Sequence, residues 1–312
     1  MAEVLQKSER YPEYTPRCQP ESPVGSAIFS ASKIRRLTQP LSANYKHKMQ
    51  EIANKVVVVT GGSMGIGEAI AKIFVDNGAY CVILSRDAAR AEAARMRVGN
   101  TDRTLALACD VRNREEIDRV ISLTRHHFHR IDVWVNNAGH GLSDEVATMD
   151  MPSFRGMFET NFFGTIEAMQ AVLPTMREQG SGTVINVSSV AGHLPVPHMA
   201  GYCATKFAMN AMGKAARVEL VGTGVNVLTV CPGYVKTNFG ENIVRGQNSK
   251  TVKPQTVKGI SAARVAKAVL SGYQKEKREV IVPWTMHPVV KLYQLFPGLV
   301  EKAMIKMARK PN

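Results

Sequence analysis

The sequence predicts a doubly wound α/β fold of the Rossmann type, a single domain built on a seven-stranded parallel sheet. Three observations carry this. Seven apolar runs of strand length recur along the chain, with helix-length stretches between them. The runs are almost continuously hydrophobic, as strands are when helices cover both faces of a sheet. A glycine-rich turn stands directly after the first run, at the place where such folds receive a phosphate.

The strands are expected at VVVVT (Val56–Thr60), YCVILS (Tyr80–Ser85), TLALAC (Thr104–Cys109) and IDVWVN (Ile131–Asn136), then at TVINVSS (Thr183–Ser189), VNVLTVC (Val225–Cys231) and EVIVP (Glu279–Pro283). Parallel neighbours need crossover connections, which the intervening segments are long enough to supply as helices.

The segment TGGSMGIGEAIAKIF follows the first strand and opens a helix. A helix start directs unpaired backbone N–H groups and the positive end of its dipole outward, toward an anion. Gly61, Gly65 and Gly67 permit the tight turn and the close approach of a pyrophosphate. After the second strand comes SRDAAR. An acidic residue here suits a ribose hydroxyl, whereas Ser85 leaves room and Arg86 suits a 2′-phosphate. Asp87 is expected to cap the next helix. The favoured cofactor is therefore NADP(H), with NAD(H) as the alternative.

Further along, GYCATK places Tyr202 four residues before Lys206, on one helix face. Alone, such a pair is a common accident. It stands, however, with TGGSMGIG, CDV, NNAG, INVSSVAG and PGYVKT, all in order. In this combination the chain resembles the short-chain dehydrogenase/reductase family, over roughly Lys55 to Pro283.

The resemblance implies a cofactor site made of Gly61, Ser63, Met64, Gly65, Ile66, Gly67, Arg86, Asp110, Val111, Asn137, Ala138 and Gly139. Tyr202, Lys206, Pro232, Gly233, Val235 and Thr237 complete it on the nicotinamide side. Met64 departs from the pattern, since NADP-dependent relatives often carry a second basic residue there. The resemblance also implies a catalytic set. Tyr202 is the general acid/base and Lys206 lowers its pKa by stabilising the phenolate. Ser189, thirteen residues before the tyrosine, orients a substrate carbonyl, while Ser188 serves backbone groups at the strand end. Asn161 holds a water that links Lys206 to solvent.

The substrate is expected to meet Ser189, His140, Leu142, His193, Met199 and Phe239, in loops that the fold aims at the cleft. Leu194, Pro195 and Val196 adjoin them. The apolar balance of these loops implies a hydrophobic ketone or aldehyde and its alcohol. A 3-oxoacyl carrier-protein reductase and a noncatalytic NADP-binding sensor or scaffold are the rival readings. Family members form homodimers or homotetramers through the helices after the fourth and fifth strands.

Residues 1–48 are rich in Pro, Ser, Arg and Lys and read as a loosely attached extension, with Met49 as an alternative start. The catalytic domain is expected over residues 49–284. Residues 285–312 form a basic tail in which Val289, Val290, Leu292, Leu295, Leu299, Val300, Met304 and Ile305 make an apolar face. Pro297 divides it into two helices. Cleft or subunit cover is its favoured role, ahead of peripheral membrane contact.

The 312 residues are 45% hydrophobic and carry a net charge of +14. The basic residues are scattered and lack interleaved aromatics, which argues against a nucleic-acid partner. No apolar run reaches the ~18 residues of a spanning helix. Five cysteines without a C-x-x-C pair fit a reducing, cytoplasmic compartment. No metal is expected, and the histidines of RHHFHR (His126, His127 and His129) are assigned to a helix C-terminus. Cys203 is expected to point off the catalytic face.

Overall fold

A computed structural model describes residues 49–246, 249 and 259–308. The proposed extension over residues 1–48 lies outside them. Seven strands form one parallel sheet: β1 (Val56–Val59), β2 (Tyr80–Ser85), β3 (Thr104–Ala108), β4 (Val133–Asn136), β5 (Gly182–Val187), β6 (Val225–Pro232) and β7 (Glu279–Val282). Their spatial order is β3-β2-β1-β4-β5-β6-β7. Chain progression reverses between β1 and β4, so the loops leaving these strands diverge and open a crevice at their carboxyl ends.

Strand side chains alternate between two cores. Val57, Val59, Cys81, Ile83, Ile185 and Val230 face one side with Ile70, Phe74 and Val269; Val58, Val82, Leu84, Trp134 and Val184 face the other with Ile117, Val172 and Met176. A period of two with both faces covered is what makes these strands continuously apolar in sequence. Each large aliphatic or aromatic side chain buried this way contributes about 1.5–3 kcal/mol.

The crossovers are helical: α1 (Gly65–Asp76), α2 (Ala88–Val98), α3 (Arg114–Phe128), α4 (Met151–Phe158), α5 (Gly164–Glu178), α6 (Ala200–Glu219) and α7 (Ala262–Gln274). Side chains cap α2, α3, α4 and α7 through Asp87, Asn113, Asp150 and Ser261. The expected cap at Asp87 is thus present, accepting from Arg90 N at 2.9 Å. His129 closes α3 in a left-handed conformation, φ 62°. A five-residue π-helical turn, Glu159–Phe163, joins α4 to α5.

The tail divides at Pro297 into α8 (Met286–Leu295) and α9 (Pro297–Ala308). Val290 and Val300 are buried, whereas Leu295 and Leu299 are exposed. Among the described residues no helix is long and apolar enough to cross a membrane.

Candidate active site

The glycine turn lies at the crevice and is tied to the loop after β4. Asn137 Nδ2 donates to the carbonyls of Thr60 and Gly61, each at 3.0 Å. Thr60 Oγ1 accepts from the N–H groups of Asn137 at 2.9 Å and Ala138 at 3.1 Å. Gly61 has φ 59°, and a Cβ there would lie 2.9 Å from Ala138 Cα; at Gly67 a Cβ would run into the Gly61 carbonyl. The turn therefore tolerates no side chain at either position.

Unlike the capped helices, α1 receives no side-chain hydrogen bond from its N-cap, Met64. The N–H groups of its first turn and the positive end of its dipole face the crevice. This is a fit for a dinucleotide pyrophosphate. Gly65 lies against Thr237, so the loop after β6 closes over the same turn. Ser63 offers its carbonyl to Arg97 Nη2 at 2.9 Å, and Arg97 pairs with Glu68. Ile66 packs against the core.

Arg86, just past β2, is exposed and has no hydrogen bond or ion pair with other described residues. Asp110 differs: Arg112 grips its carboxylate, with Nη2 to Oδ2 at 2.6 Å, and holds its pKa below the usual range. Burial lowers the His140 pKa, and the charges of Arg86 and Arg112 lower it further. Two guanidinium groups therefore flank the end of the crevice below β2 and β3. Val111 is buried, and its carbonyl lies against Gly164.

The four residues expected to form the catalytic set converge above the sheet. Ser189 starts the turn Val190–Gly192; its Oγ accepts from Ala191 N at 3.1 Å and donates to the Pro232 carbonyl at 3.4 Å. It also contacts the Tyr202 hydroxyl. Ser188 donates to the Lys206 carbonyl at 3.4 Å, a backbone partner on α6 rather than at the strand end. Lys206 is buried, with Nζ donating to the Val187 carbonyl at 3.0 Å and lying 5.7 Å from the Tyr202 ring centre.

In this arrangement the Lys206 ammonium is directed away from the Tyr202 hydroxyl, toward the Val187 carbonyl. Part of the Tyr202 surface remains open, yet its hydroxyl is sunk deeply enough for burial to push the phenol upward. The Ser189 contact opposes this only in part. Lys206 aims its ammonium at the Val187 carbonyl, and burial lowers its own pKa to about 8.

Asn161 lies in the π-helical turn and is fully buried. Its Oδ1 accepts from His140 N at 3.0 Å, and its Nδ2 donates to His140 O at 2.9 Å and Thr205 Oγ1 at 3.2 Å. Its own carbonyl accepts from Thr165 Oγ1 at 3.0 Å. Asn161 is thereby a clamp on the loop after β4. The sequence contains no signal for this π-helical turn beyond Gly164, where a side chain would strike Val111.

The expected substrate residues fall into two groups. Phe239 packs against Tyr202 with ring centres 5.6 Å apart and planes tilted by 58°, and Met199 immediately precedes α6. His140 is half-buried beside Asn161. Leu142, however, is fully buried and paired with Val244, and His193 turns its Nε2 toward Cys231, Asn210 and Glu279 rather than toward Tyr202. Cys203 is buried, and its Sγ accepts from Val196 N at 3.3 Å. Gly233 donates to the Val282 carbonyl at 2.7 Å and Val235 pairs with Ile260, which shapes the loop after β6.

A reversing parallel sheet with an open helix start at its crevice defines a Rossmann-type α/β fold. Comparison with known proteins specifies which kind. The family model described as short chain dehydrogenase matches residues 55–248. The chain is 32% identical over 271 residues to dehydrogenase/reductase SDR family member 7B of Danio rerio, covering 83% of this chain and 87% of that one. It is 33% identical over 241 residues to an uncharacterized oxidoreductase of Staphylococcus epidermidis, covering 77% and 100% respectively. Among solved structures it resembles a 3-ketoacyl-(acyl-carrier-protein) reductase from Brucella melitensis complexed with NADH. That likeness has a TM-score of 0.68 at 25% identity and covers 74% of this chain and 97% of the other. The chain belongs to the short-chain dehydrogenase/reductase family of oxidoreductases.

Proposed function

We propose that the protein is an NADP(H)-preferring short-chain dehydrogenase/reductase that interconverts a hydrophobic ketone or aldehyde and its alcohol, with Tyr202 as general acid/base. The observation that carries this reading is the convergence of Ser189, Tyr202 and Lys206 at the crevice beside an uncapped helix start. The nicotinamide supplies or accepts the hydride when bound.

The chain's own groups supply orientation and the proton. The Ser189 hydroxyl, with Tyr202, grips the substrate oxygen. A phenol held protonated by burial donates to that oxygen as it gains charge in the reduction direction. The Lys206 ammonium, close behind the ring, stabilises the phenolate left behind until a proton from solvent restores the phenol. Asn161 keeps the loop carrying Gly139 and His140 in register with this group.

Arg86 supports the NADP(H) preference, since its guanidinium has no partner among the described residues at the end of β2, where a 2′-phosphate lies in such folds. The solved relative named above is a complex with NADH, so NAD(H) remains the competing cofactor. Exposed Phe163, Phe207 and Val218 on and beside α5 and α6 support assembly into a homodimer or homotetramer.

The decisive experiment is a panel of hydrophobic carbonyl compounds and one 3-oxoacyl thioester, scored by cofactor absorbance with NADPH and NADH in parallel. Turnover of apolar ketones with NADPH, abolished in Tyr202→Phe, supports the reading. Turnover of the thioester alone would transfer the chain to the acyl-carrier reductases. Cofactor binding without turnover of any compound would make it a sensor or scaffold.

A further inference from the structure

Behind the Ser189–Lys206 pair lies a second cluster of chemically active side chains that the reductase reading leaves unused. It gathers from three parts of the fold: His193 from the turn after β5, Cys231 from β6 and Glu279 from β7. His193 and Cys231 are buried, and the Oε1 atom of the half-buried Glu279 is shielded from solvent. His193 Nε2 lies 3.2 Å from Glu279 Oε1 and 3.5 Å from Cys231 Sγ, and the three ligand atoms all fall within 4.8 Å of one another.

These separations have a chemical meaning. With zinc bonds of about 2.3 Å to sulfur and about 2.0–2.1 Å to nitrogen and oxygen, the edges of a tetrahedral site are about 3.5 Å for S–N and about 3.3 Å for N–O. The two observed His193 contacts match both edges. The remaining sulfur–oxygen edge falls within the 4.8 Å that spans the three atoms, and the Glu279 side chain keeps 28% of its surface open.

The hydrogen-bond inventory points the same way. Glu279 Oε1 is shielded from water, with His193 Nε2 at 3.2 Å and Lys214 Nζ at 3.9 Å. Asn210 Nδ2 donates to the Gly192 carbonyl at 2.9 Å and lies 3.3 Å from His193 Nε2. With a proton on Nε2, His193 can donate to Glu279 Oε1; with a lone pair there, the nitrogen faces the carboxylate, and a cation held by both removes that repulsion.

We propose that His193, Cys231 and Glu279 form a binding site for a single zinc ion. The mixed S, N and O donors select zinc over magnesium or calcium, and the thiolate and carboxylate neutralise its charge. Cys231 releases its thiol proton to solvent as the S–Zn bond forms. The fourth position falls to a water or to Asn210 Oδ1, which is 3.9 Å from Cys231 Sγ. Zinc would tie the turn Val190–Gly192 to β6 and β7, fixing both segments that hold the Ser189 hydroxyl. The inference stands independently of the proposed substrate and cofactor.

Cobalt(II) chloride serves as the spectroscopic probe, added to the chelator-treated full chain and then displaced with zinc chloride. The expected result is one equivalent bound, a thiolate-to-cobalt charge-transfer band, loss of that band on adding zinc, and a rise in Tm with zinc. Cys18→Ser should behave like the wild type. Cys231→Ser should lose the band, and Glu279→Gln, a near-isosteric change that spares the fold, should weaken zinc at least tenfold. A wild-type protein that gives no charge-transfer band overturns the proposal. So does a band that persists in Cys231→Ser, or zinc affinity unchanged in Glu279→Gln.

Discussion

The Lys206 ammonium stands 5.7 Å from the centre of the Tyr202 ring while donating to the Val187 carbonyl at 3.0 Å. The same burial acts in opposite directions on the pair, lifting the phenol and depressing the amine to about 8. Both shifts disfavour charge in the unliganded crevice. At pH 7 the phenol keeps its proton and the lysine still carries its charge, which is the state that can donate to a carbonyl oxygen.

Replacing Tyr202 by Phe removes that donor and leaves the ring packed against Phe239. On the proposed mechanism kcat should fall by about 10²–10⁴-fold, the range of general acid/base catalysis. The Kd for NADPH should change less than threefold, because the glycine turn and α1 are untouched. Steady-state kinetics with cofactor fluorescence titration checks both; a kcat within tenfold of wild type would remove Tyr202 from the mechanism.

The depressed Lys206 pKa makes a stability prediction whose sign is fixed. An unfolded lysine titrates near 10.5 and the folded one near 8. Between these values the unfolded chain binds more protons, so the Lys206 contribution to stability rises with pH across this window. Below pH 8 the full cost of burying the charge is present. Lys206→Met should remove this component, about 3 kcal/mol at its limit. Urea unfolding of both proteins at pH 7.5 and pH 10 measures it. An unchanged difference between the two curves would place the lysine in contact with water.

The sheet was legible because seven strands buried on both faces must be continuously apolar, and Val56–Val59 needs no partner to declare itself. The glycine turn was legible for a related reason, since Gly61 and Gly67 answer to backbone contacts that nothing larger fits. Side-chain direction was not. His193 lies in a loop that faces the crevice, yet its ring turns back to Glu279 across a sequence separation that no local pattern records. The Tyr202 shift escaped for the same reason: a four-residue spacing reports proximity to Lys206, not where the ammonium points or how deep the hydroxyl lies. In the tail, periodicity marked eight apolar residues, but packing selects Val290 and Val300 and leaves Leu295 and Leu299 outside.

Arg86 is the residue on which cofactor choice is expected to turn. Arg112 is committed to Asp110, and Arg97 to Ser63 and Glu68, whereas Arg86 has no described partner to give up. A charge-assisted contact to phosphate contributes about 1.5–3 kcal/mol. Arg86→Ala should therefore weaken NADPH by roughly 10–150-fold while leaving NADH within a factor of two. Equal losses for the two cofactors in a binding titration would place the 2′-phosphate elsewhere.

Asn161 offers the sharpest separation of scaffold from chemistry. Its amide satisfies both the N–H and the carbonyl of His140, and the π-helical turn is what brings it there. Asn161→Ala would leave two largely buried backbone groups without partners, a cost of about 2–4 kcal/mol. Asn161→Asp is the more telling change. Its carboxylate still accepts from the His140 N–H but faces the His140 carbonyl with a second acceptor in place of a donor. The Asp variant should therefore recover at low pH, where a protonated carboxyl donates again, and lose stability as pH rises above the carboxyl's pKa. The Ala variant should show no such dependence beyond that of the wild type. Thermal melts of the three proteins at pH 4.5 and pH 7.5 test this, and identical Ala and Asp profiles would mean that the amide clamp does not hold the loop.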